Sequence, residues 1–206
     1  PIAEGIVIQD ANIRALQNNI CLDNVFALVY DIRKTTKIPI VFLTYINPIF
    51  NFGYDCFFKE CKSNGVDGVI IPDLPFEEKN EIKSFAEKYN IDIISLIAPT
   101  SEDRIKTIAK DAKGFVYIVS SMGVTGMRNE ITTDVESIVK TVKEITNTPC
   151  AIGFGINKPE QAKYFSSFAD GIIVGSAIVK IIEKYGKNAP EYVFNYVKEM
   201  KQSIIN

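Results

Sequence analysis

The sequence predicts an α/β fold made of repeated strand–helix units. Six short apolar runs, rich in β-branched residues, are nearly continuous rather than alternating, which is typical of parallel strands covered on both faces. Neighbouring runs start 22 to 34 residues apart, which leaves room between them for one helix and two loops. The runs are Ile38–Ile46, Val66–Pro72, Ile91–Ala98, Phe115–Ser121, Pro149–Gly153 and Gly171–Gly175.

Amphipathic segments fill the intervals between these runs. In the segment Phe76–Tyr89, the apolar residues Ile82, Phe85 and Tyr89 recur with a helical period. No linker or change of composition interrupts the series, so residues 1–206 are expected to form a single domain. The other predicted helices are Asn12–Asn18, Leu22–Thr35, Tyr54–Asn64, Ser101–Ala112, Thr133–Thr146, Pro159–Phe168, Ile178–Lys184 and Pro190–Ile204.

The composition excludes several kinds of chemistry. The 206 residues carry a net charge of −2, contain no histidine and include four cysteines. Without histidine the chain cannot form a His-based triad or a His-ligated metal site. No basic cluster indicates a nucleic-acid partner, and no apolar run approaches the ~20 residues of a membrane span. We expect a cytoplasmic protein with reduced thiols and with no metal, nucleic acid or membrane as partner.

The positions of the glycines distinguish two architectures that the pattern allows, a doubly wound sheet and a (β/α)8 barrel. Gly155 follows the fifth run, and Gly175 with Ser176 follows the sixth. Loops after the last two strands, together with the start of a short helix, form the usual phosphate site of a barrel. No early G-x-G-x-x-G motif indicates a dinucleotide fold. The pattern therefore favours a barrel that binds phosphate, although such glycines also suit simple tight turns.

Three further features lie at or near predicted strand ends. The segment Ser120–Arg128 contains two glycines and is predicted to form a lid over the strand ends. Tyr117 could pack against a planar ligand or belong to the core. Asp73 is a candidate general acid or base, but it could equally cap a helix or face a partner protein.

Six motifs, in the same order and at nearly the same spacing, resemble the tryptophan synthase α-subunit family. They are Pro1–Gly5 with Ile8–Ala11, Thr44–Pro48, Pro72–Pro75, Gly123–Gly126, Gly153–Ile156 and Gly175–Val179. The resemblance implies an α/β (β/α)8 TIM barrel, here represented by strands three to eight. It also implies a lyase of tryptophan biosynthesis, which cleaves indole-3-glycerol phosphate by a retro-aldol reaction into indole and glyceraldehyde 3-phosphate.

The resemblance further implies a partner and a set of site residues. Indole would pass to a β subunit that carries pyridoxal phosphate, within an α2β2 assembly, while this chain would hold no cofactor of its own. Tyr117 and Thr125 would support the reaction, and Thr125 would close the lid. The phosphate would be held by Gly126, Gly155, Gly175 and Ser176; the indole pocket would be lined by Leu43, Ile70, Ile97, Tyr117 and Phe154; and the β subunit would meet Asn47, Pro48, Asp73 and the Pro1–Gln9 loop.

The family reaction uses two catalytic carboxylates, and the resemblance places both before Pro1, together with the first two strands. Glu4 matches an acidic family position without a catalytic role. On this basis we expect activity near background for the chain. The alternative function is a catalytically inactive fragment that binds only a phosphate ligand or the β subunit. A different phosphate-sugar barrel, such as an isomerase, is disfavoured by the Gly-Val-Thr-Gly and Pro-Asp-Leu-Pro motifs.

Overall fold

The strands follow one another around a curved parallel wall, in chain order. The computed structural model describes residues 4–120, 134–153 and 155–205. Every strand pair is parallel, and the two ladders have the orders β1-β2-β3 and β4-β5-β6-β7. The strands are β1 (Val41–Leu43), β2 (Gly68–Ile70), β3 (Asp92–Ile93), β4 (Ser95–Ile97), β5 (Val116–Val119), β6 (Cys150–Gly153) and β7 (Gly171–Ile172).

All six predicted strand regions contain a strand, and the third is divided in two at Ile94. On one side β3 pairs with β2, with Ile93 opposite Val69. On the other side β4 pairs with β5, with Ser95 opposite Val116. The backbone N–H of Ile94 donates a hydrogen bond to the carbonyl of Val69 at 2.9 Å. One stretch of chain therefore joins both ladders, and the wall is continuous from β1 to β7.

Helices connect most successive strands, as the strand–helix pattern predicts, and further helices precede the first strand and follow the last. Short 3₁₀ turns occupy Phe76–Glu78 and Gly186–Asn188. The α-helices of the described residues are α1 (Ile6–Gln17), α2 (Leu22–Arg33), α3 (Ile46–Phe52), α4 (Tyr54–Asn64), α5 (Asn80–Tyr89), α6 (Glu102–Lys110), α7 (Val135–Ile145), α8 (Pro159–Ser166), α9 (Ser176–Tyr185) and α10 (Ala189–Ile205).

Two segments differ from the sequence prediction because they are helical. Ile46 was predicted to end a strand, but it begins α3, whose first turn includes Pro48. Proline suits a first helical turn because its missing N–H would have no partner there. The predicted Pro1–Gln9 loop is helical from Ile6 onward, and the carbonyl of Gly5 accepts hydrogen bonds from the first turn of α1.

Apolar side chains cover both faces of the wall. On the outer face, two large clusters fill the space between strands and helices. One includes Ile97 and Ile105, and the other includes Phe57 and Val69. A smaller inner cluster is built around Ile70, Ile94, Tyr117 and Val119. Burial on both faces explains why the strand sequences are continuously apolar. A barrel binds its ligand at the carboxyl ends of the strands, next to this inner cluster.

Candidate functional site

A cavity of about 320 Å³ lies on the inner side of the wall, at the carboxyl ends of the strands. Leu43 and Ile70 end β1 and β2, whereas the loops after β6 and β7 close the other side. Leu43 is 56% exposed, so the cavity is open toward the β1 edge. Six residues predicted for the site line this cavity: Leu43, Ile70, Tyr117, Gly155, Gly175 and Ser176.

Ile97 does not belong to the cavity, which corrects the prediction for this residue. It is fully buried on the outer face of β4, in the cluster that packs against α6. Its neighbour Leu96 faces inward and lines the cavity, as do Val41 and Ile173. Successive side chains of a strand point to opposite faces. A one-residue error in phase therefore exchanges an inner residue for an outer one.

The remaining predicted residues fall into two groups. Thr125, Gly126 and Phe154 lie outside the described residues. Asn47 and Pro48 are exposed on the first turn of α3 and do not line the cavity. Beside them, the Asp73 carboxylate accepts a hydrogen bond from the backbone N–H of Ile46 at 3.0 Å. Of the three roles considered for Asp73, helix capping is the one that this contact performs, although the capped helix is α3 rather than the one that follows.

One end of the cavity offers backbone N–H groups to an anion. Gly175 precedes α9, and its carbonyl accepts hydrogen bonds from the N–H groups of Ile178 and Val179. The first N–H groups of the helix, beginning at Ser176, are those that have no partner within a helix. The helix dipole adds positive potential at this end. A β carbon built on Gly175 would meet no atom of the described residues within 4 Å, which leaves space for a ligand above this backbone.

Gly155 contributes from the loop after β6. Its φ of +83° lies in the left-handed region, which favours glycine. No lysine or arginine is among the described residues that line the cavity. Within the described part of the cavity wall, an anion would meet backbone N–H groups and helix dipoles rather than a cationic side chain.

Tyr117 crosses the inner face and lies against Gly153 of the neighbouring strand. A β carbon at Gly153 would overlap the Tyr117 ring, with Cζ only 2.5 Å away, so glycine at this position allows the tyrosine its orientation. Burial raises the pKa of the Tyr117 hydroxyl well above its usual range, and the nearby Glu4 carboxylate raises it further. The hydroxyl therefore stays protonated and can act as a hydrogen-bond donor.

Among the described residues that line the cavity, Glu4 is the only one with a charged side chain. It is only 6% exposed, and its backbone carbonyl accepts a hydrogen bond from the Gln9 side chain at 2.6 Å. No catalytic role is expected for Glu4 from the family resemblance. Its place depends on the way in which the segment before α1 folds over the strand ends, and no local sequence pattern indicates that arrangement.

A second cavity of about 540 Å³ lies beside the first and shares Pro72 and Leu96 with it. Its cations are already paired, since Lys79 contacts Asp111 at 2.9 Å and Arg104 contacts Glu77. The buried hydroxyl of Ser95, on its wall, has no hydrogen-bond partner among the described residues. Without a glycine-lined helix start, this cavity is less suited to phosphate than the inner one.

Metal binding and membrane insertion find no support in the described residues. They contain no group of three or more Cys, Asp or Glu side chains arranged to hold a metal ion. None of the described helices combines the length and the apolar character that crossing a membrane requires.

Comparison with known proteins agrees with the motif resemblance. A family model described as tryptophan synthase alpha chain matches residues 1–205. The tryptophan synthase alpha chain of Lacticaseibacillus casei is 49% identical over 204 residues, which cover 99% of this chain and 77% of that protein. The alpha chain of Thermoanaerobacter sp. (strain X514) is also 49% identical, and the match covers 98% of this chain and 78% of that protein.

Solved structures show the same fold. The tryptophan synthase α2β2 complex of Pyrococcus furiosus matches with a TM-score of 0.89 and 38% identity, over 98% of this chain and 82% of that chain. Tryptophan synthase of Mycobacterium tuberculosis matches with a TM-score of 0.88 and 29% identity, over 99% of this chain and 77% of that chain. The predicted (β/α)8 barrel fold is confirmed, and the chain belongs to the tryptophan synthase alpha chain family.

Proposed function

We propose that this chain cleaves indole-3-glycerol phosphate to indole and glyceraldehyde 3-phosphate in the inner cavity. The observation that carries the proposal is the distribution of groups within one cavity. Backbone N–H groups lie at one end, apolar side chains lie at the other, and the Glu4 carboxylate is part of the same wall. The volume of about 320 Å³ falls in the range of small-molecule sites.

The two halves of the cavity match the two halves of the substrate. The phosphate would bind at Gly155, Gly175 and Ser176, where the start of α9 favours negative charge. The indole ring would lie against Ile70 and Tyr117, because planar aromatic rings pack well on apolar and aromatic side chains. This arrangement holds the bond to be broken between an anchored phosphate and an anchored ring.

The reaction moves a proton without net consumption. As the carbon–carbon bond breaks, indole C3 gains a proton, and the hydroxyl on the departing carbon loses one to become the aldehyde. Although the family position that Glu4 matches has no catalytic role and background activity was expected from the resemblance, we propose that the buried Glu4 carboxylate in the cavity wall accepts and delivers these protons. The neutral Tyr117 hydroxyl can donate a hydrogen bond to a polar atom of the substrate. A positioned acid–base group typically contributes a factor of roughly 10²–10⁴ to the rate.

The proposal includes a partner subunit. The Pyrococcus furiosus relative is described as an α2β2 complex, and we infer the same assembly for this chain. Asn47 and Pro48 are exposed on α3, at the same end of the strands as the cavity, and would face the β subunit near Asp73. Pyridoxal phosphate would belong to the β subunit, this chain would act as a single cytoplasmic domain, and its own chemistry would need no cofactor.

The test is the rate of indole release from indole-3-glycerol phosphate by the wild-type chain and by Glu4→Gln. We expect the substitution to lower kcat by about 10²-fold, because the amide keeps the shape of the side chain but cannot exchange protons. Glu87→Gln serves as the matched control, since Glu87 lies on α5 in an exposed pair with Lys113, and it should leave kcat unchanged.

Equal rates for the wild type and Glu4→Gln, both above background, would contradict the role of Glu4. Background rates in both proteins, combined with tight binding of glycerol 3-phosphate, would instead support the alternative of a fragment that binds ligand without cleaving it.

A further inference from the structure

We propose that Tyr196, on helix α10, is a positioning residue that sets the shape of the phosphate-binding loop. The inference rests on the proposed function, in which the substrate phosphate binds beside the loop 155–157. Tyr196 lies 39 residues after Asn157 in the chain and is absent from the residues that line the inner cavity. It would act on the ligand only through the loop.

Three hydrogen bonds hold Asn157 from different directions. The hydroxyl of Tyr196 donates to the backbone carbonyl of Asn157 at 3.0 Å. The backbone N–H of Asn157 donates to the Gln161 side-chain oxygen at 3.0 Å, and the side-chain amide of Asn157 donates to the carbonyl of Gly155 at 2.8 Å. Both backbone groups and the side chain of Asn157 are thus engaged.

This network fixes the peptide that an anion would meet. A trans peptide is planar, so its carbonyl and its N–H point in opposite directions. The bond from Asn157 to the carbonyl of Gly155 therefore also sets the direction of the N–H of Ile156. An anion is attracted by N–H groups and repelled by carbonyl oxygens, which makes this orientation decisive for phosphate affinity.

The loop combines one anchored position with one that is conformationally permissive. Ile156 is buried in the outer cluster, whereas Gly155 has a φ of +83° and the wide conformational freedom of glycine. Burial raises the pKa of the Tyr196 hydroxyl, and Glu199 raises it further. The hydroxyl therefore remains a donor at neutral and mildly alkaline pH, and the contact with the loop persists there.

The test compares the affinities of two probes, sn-glycerol 3-phosphate and indole, by titration calorimetry. For Tyr196→Phe we expect the Kd for glycerol 3-phosphate to rise about three- to tenfold, which corresponds to the loss of one hydrogen bond. The Kd for indole should stay unchanged. Asn157→Ala, which removes the side-chain hydrogen bond to the Gly155 carbonyl, should have the same selective effect.

Tyr192→Phe is the matched control. Tyr192 lies one helical turn earlier on α10, where its ring stacks on Tyr185 at 3.6 Å, and this substitution should change neither Kd.

If Tyr196→Phe and Asn157→Ala bind glycerol 3-phosphate as the wild type does, the positioning role is overturned and the proposed function stands. If both probes lose affinity equally, the role of Tyr196 is general stability and the inference is overturned. If the wild type itself does not bind glycerol 3-phosphate, the proposed function and this inference fall together.

Discussion

Gly175 shows how the absence of a side chain can leave space for a ligand. Its backbone does not require the left-handed region, and a β carbon there would meet no atom of the described residues within 4 Å. The fold should therefore tolerate a larger residue at this position, and under the proposed function glycine is needed for the space that the phosphate would occupy.

For Gly175→Val we predict a loss of glycerol 3-phosphate binding by at least tenfold, because the branched side chain would fill the place of the anion. The melting temperature should remain within a few degrees of the wild type, since no described atom is displaced. Calorimetric titration and thermal unfolding measure the two quantities. An unchanged affinity would exclude the phosphate site.

The cysteines allow a second test at the scale of single residues. All four are free: Cys21 and Cys56 are exposed, whereas Cys61 and Cys150 are buried. Burial raises the pKa of Cys61 to about 12 and that of Cys150 to about 11, with smaller contributions from Glu60 and Asp170.

We predict that two thiols of the native protein react rapidly with a disulfide reagent at pH 8, and that all four react after denaturation. The thiolate is the reactive form, and both burial and a raised pKa suppress it. Absorbance of the released thiol gives the count. Four equally fast thiols in the native protein would contradict the packing around Cys61 and Cys150.

The sequence predicted the site residues unevenly, for physical reasons. The glycines after β6 and β7 were identified because their chemistry is local: a glycine at a strand end together with a helix start suffices. Ile97 was misplaced because a strand buried on both faces shows no alternation from which its phase could be read. The place of Glu4 in the cavity wall was not predicted because its burial depends on tertiary contacts.

At the scale of elements, the strands were predicted well and the connections less so. Each strand carries a compact apolar run, whereas α3 contains Asn47 and Pro48, which are typical of turns. A long-range contact, from Asp73 to the N–H of Ile46, caps this helix. The break at Ile94 likewise follows from pairing with two different neighbours, which a single run of sequence does not reveal.

Helix α5 and the end of α6 are joined by a cluster of charges. Asp111 contacts Lys79 at 2.9 Å and Lys83 at 3.0 Å, and the Lys79 side chain is only 11% exposed. Burial alone would raise the pKa of Asp111, but its hydrogen bonds and attraction to the two lysines outweigh burial and lower the pKa below 3.8. The folded state therefore favours the ionised carboxylate.

We predict that Asp111→Asn lowers the free energy of unfolding by about 1–3 kcal/mol at pH 7, because the Lys79 side chain, only 11% exposed, would lose its carboxylate partner. A lowered folded pKa gives stability that is present above the unfolded pKa and is lost as the pH falls through the folded value. The difference between variant and wild type should therefore disappear in strong acid.

Urea unfolding at several pH values measures this difference. Asp31→Asn is the matched control, because Asp31 pairs with Lys34 on an exposed surface, and its effect should stay within about 0.5 kcal/mol. Equal losses for the two variants would show that the Asp111 cluster is no more important than a surface pair.

At the scale of the whole molecule, the barrel brings distant parts of the chain to one place. Glu4 comes from the segment before α1, Tyr117 from the middle of the wall, and Gly175 from the loop after β7, and all three line one cavity. Parallel strands make this possible because their carboxyl ends meet at the same face. The strand spacing predicted an α/β fold, and the glycine positions with the family resemblance selected the barrel. The places of Glu4 and Leu96 in the cavity required the structure.

The central claim is that indole-3-glycerol phosphate binds in the inner cavity, with its phosphate at the start of α9. A crystal structure with an indolyl-alkyl phosphate that lacks the reactive hydroxyl tests it most directly. We predict phosphate density against Gly155, Gly175 and Ser176, and the indole ring against Ile70 and Tyr117. A ligand found instead in the second cavity, beside Ser95 and Arg104, would contradict the claim.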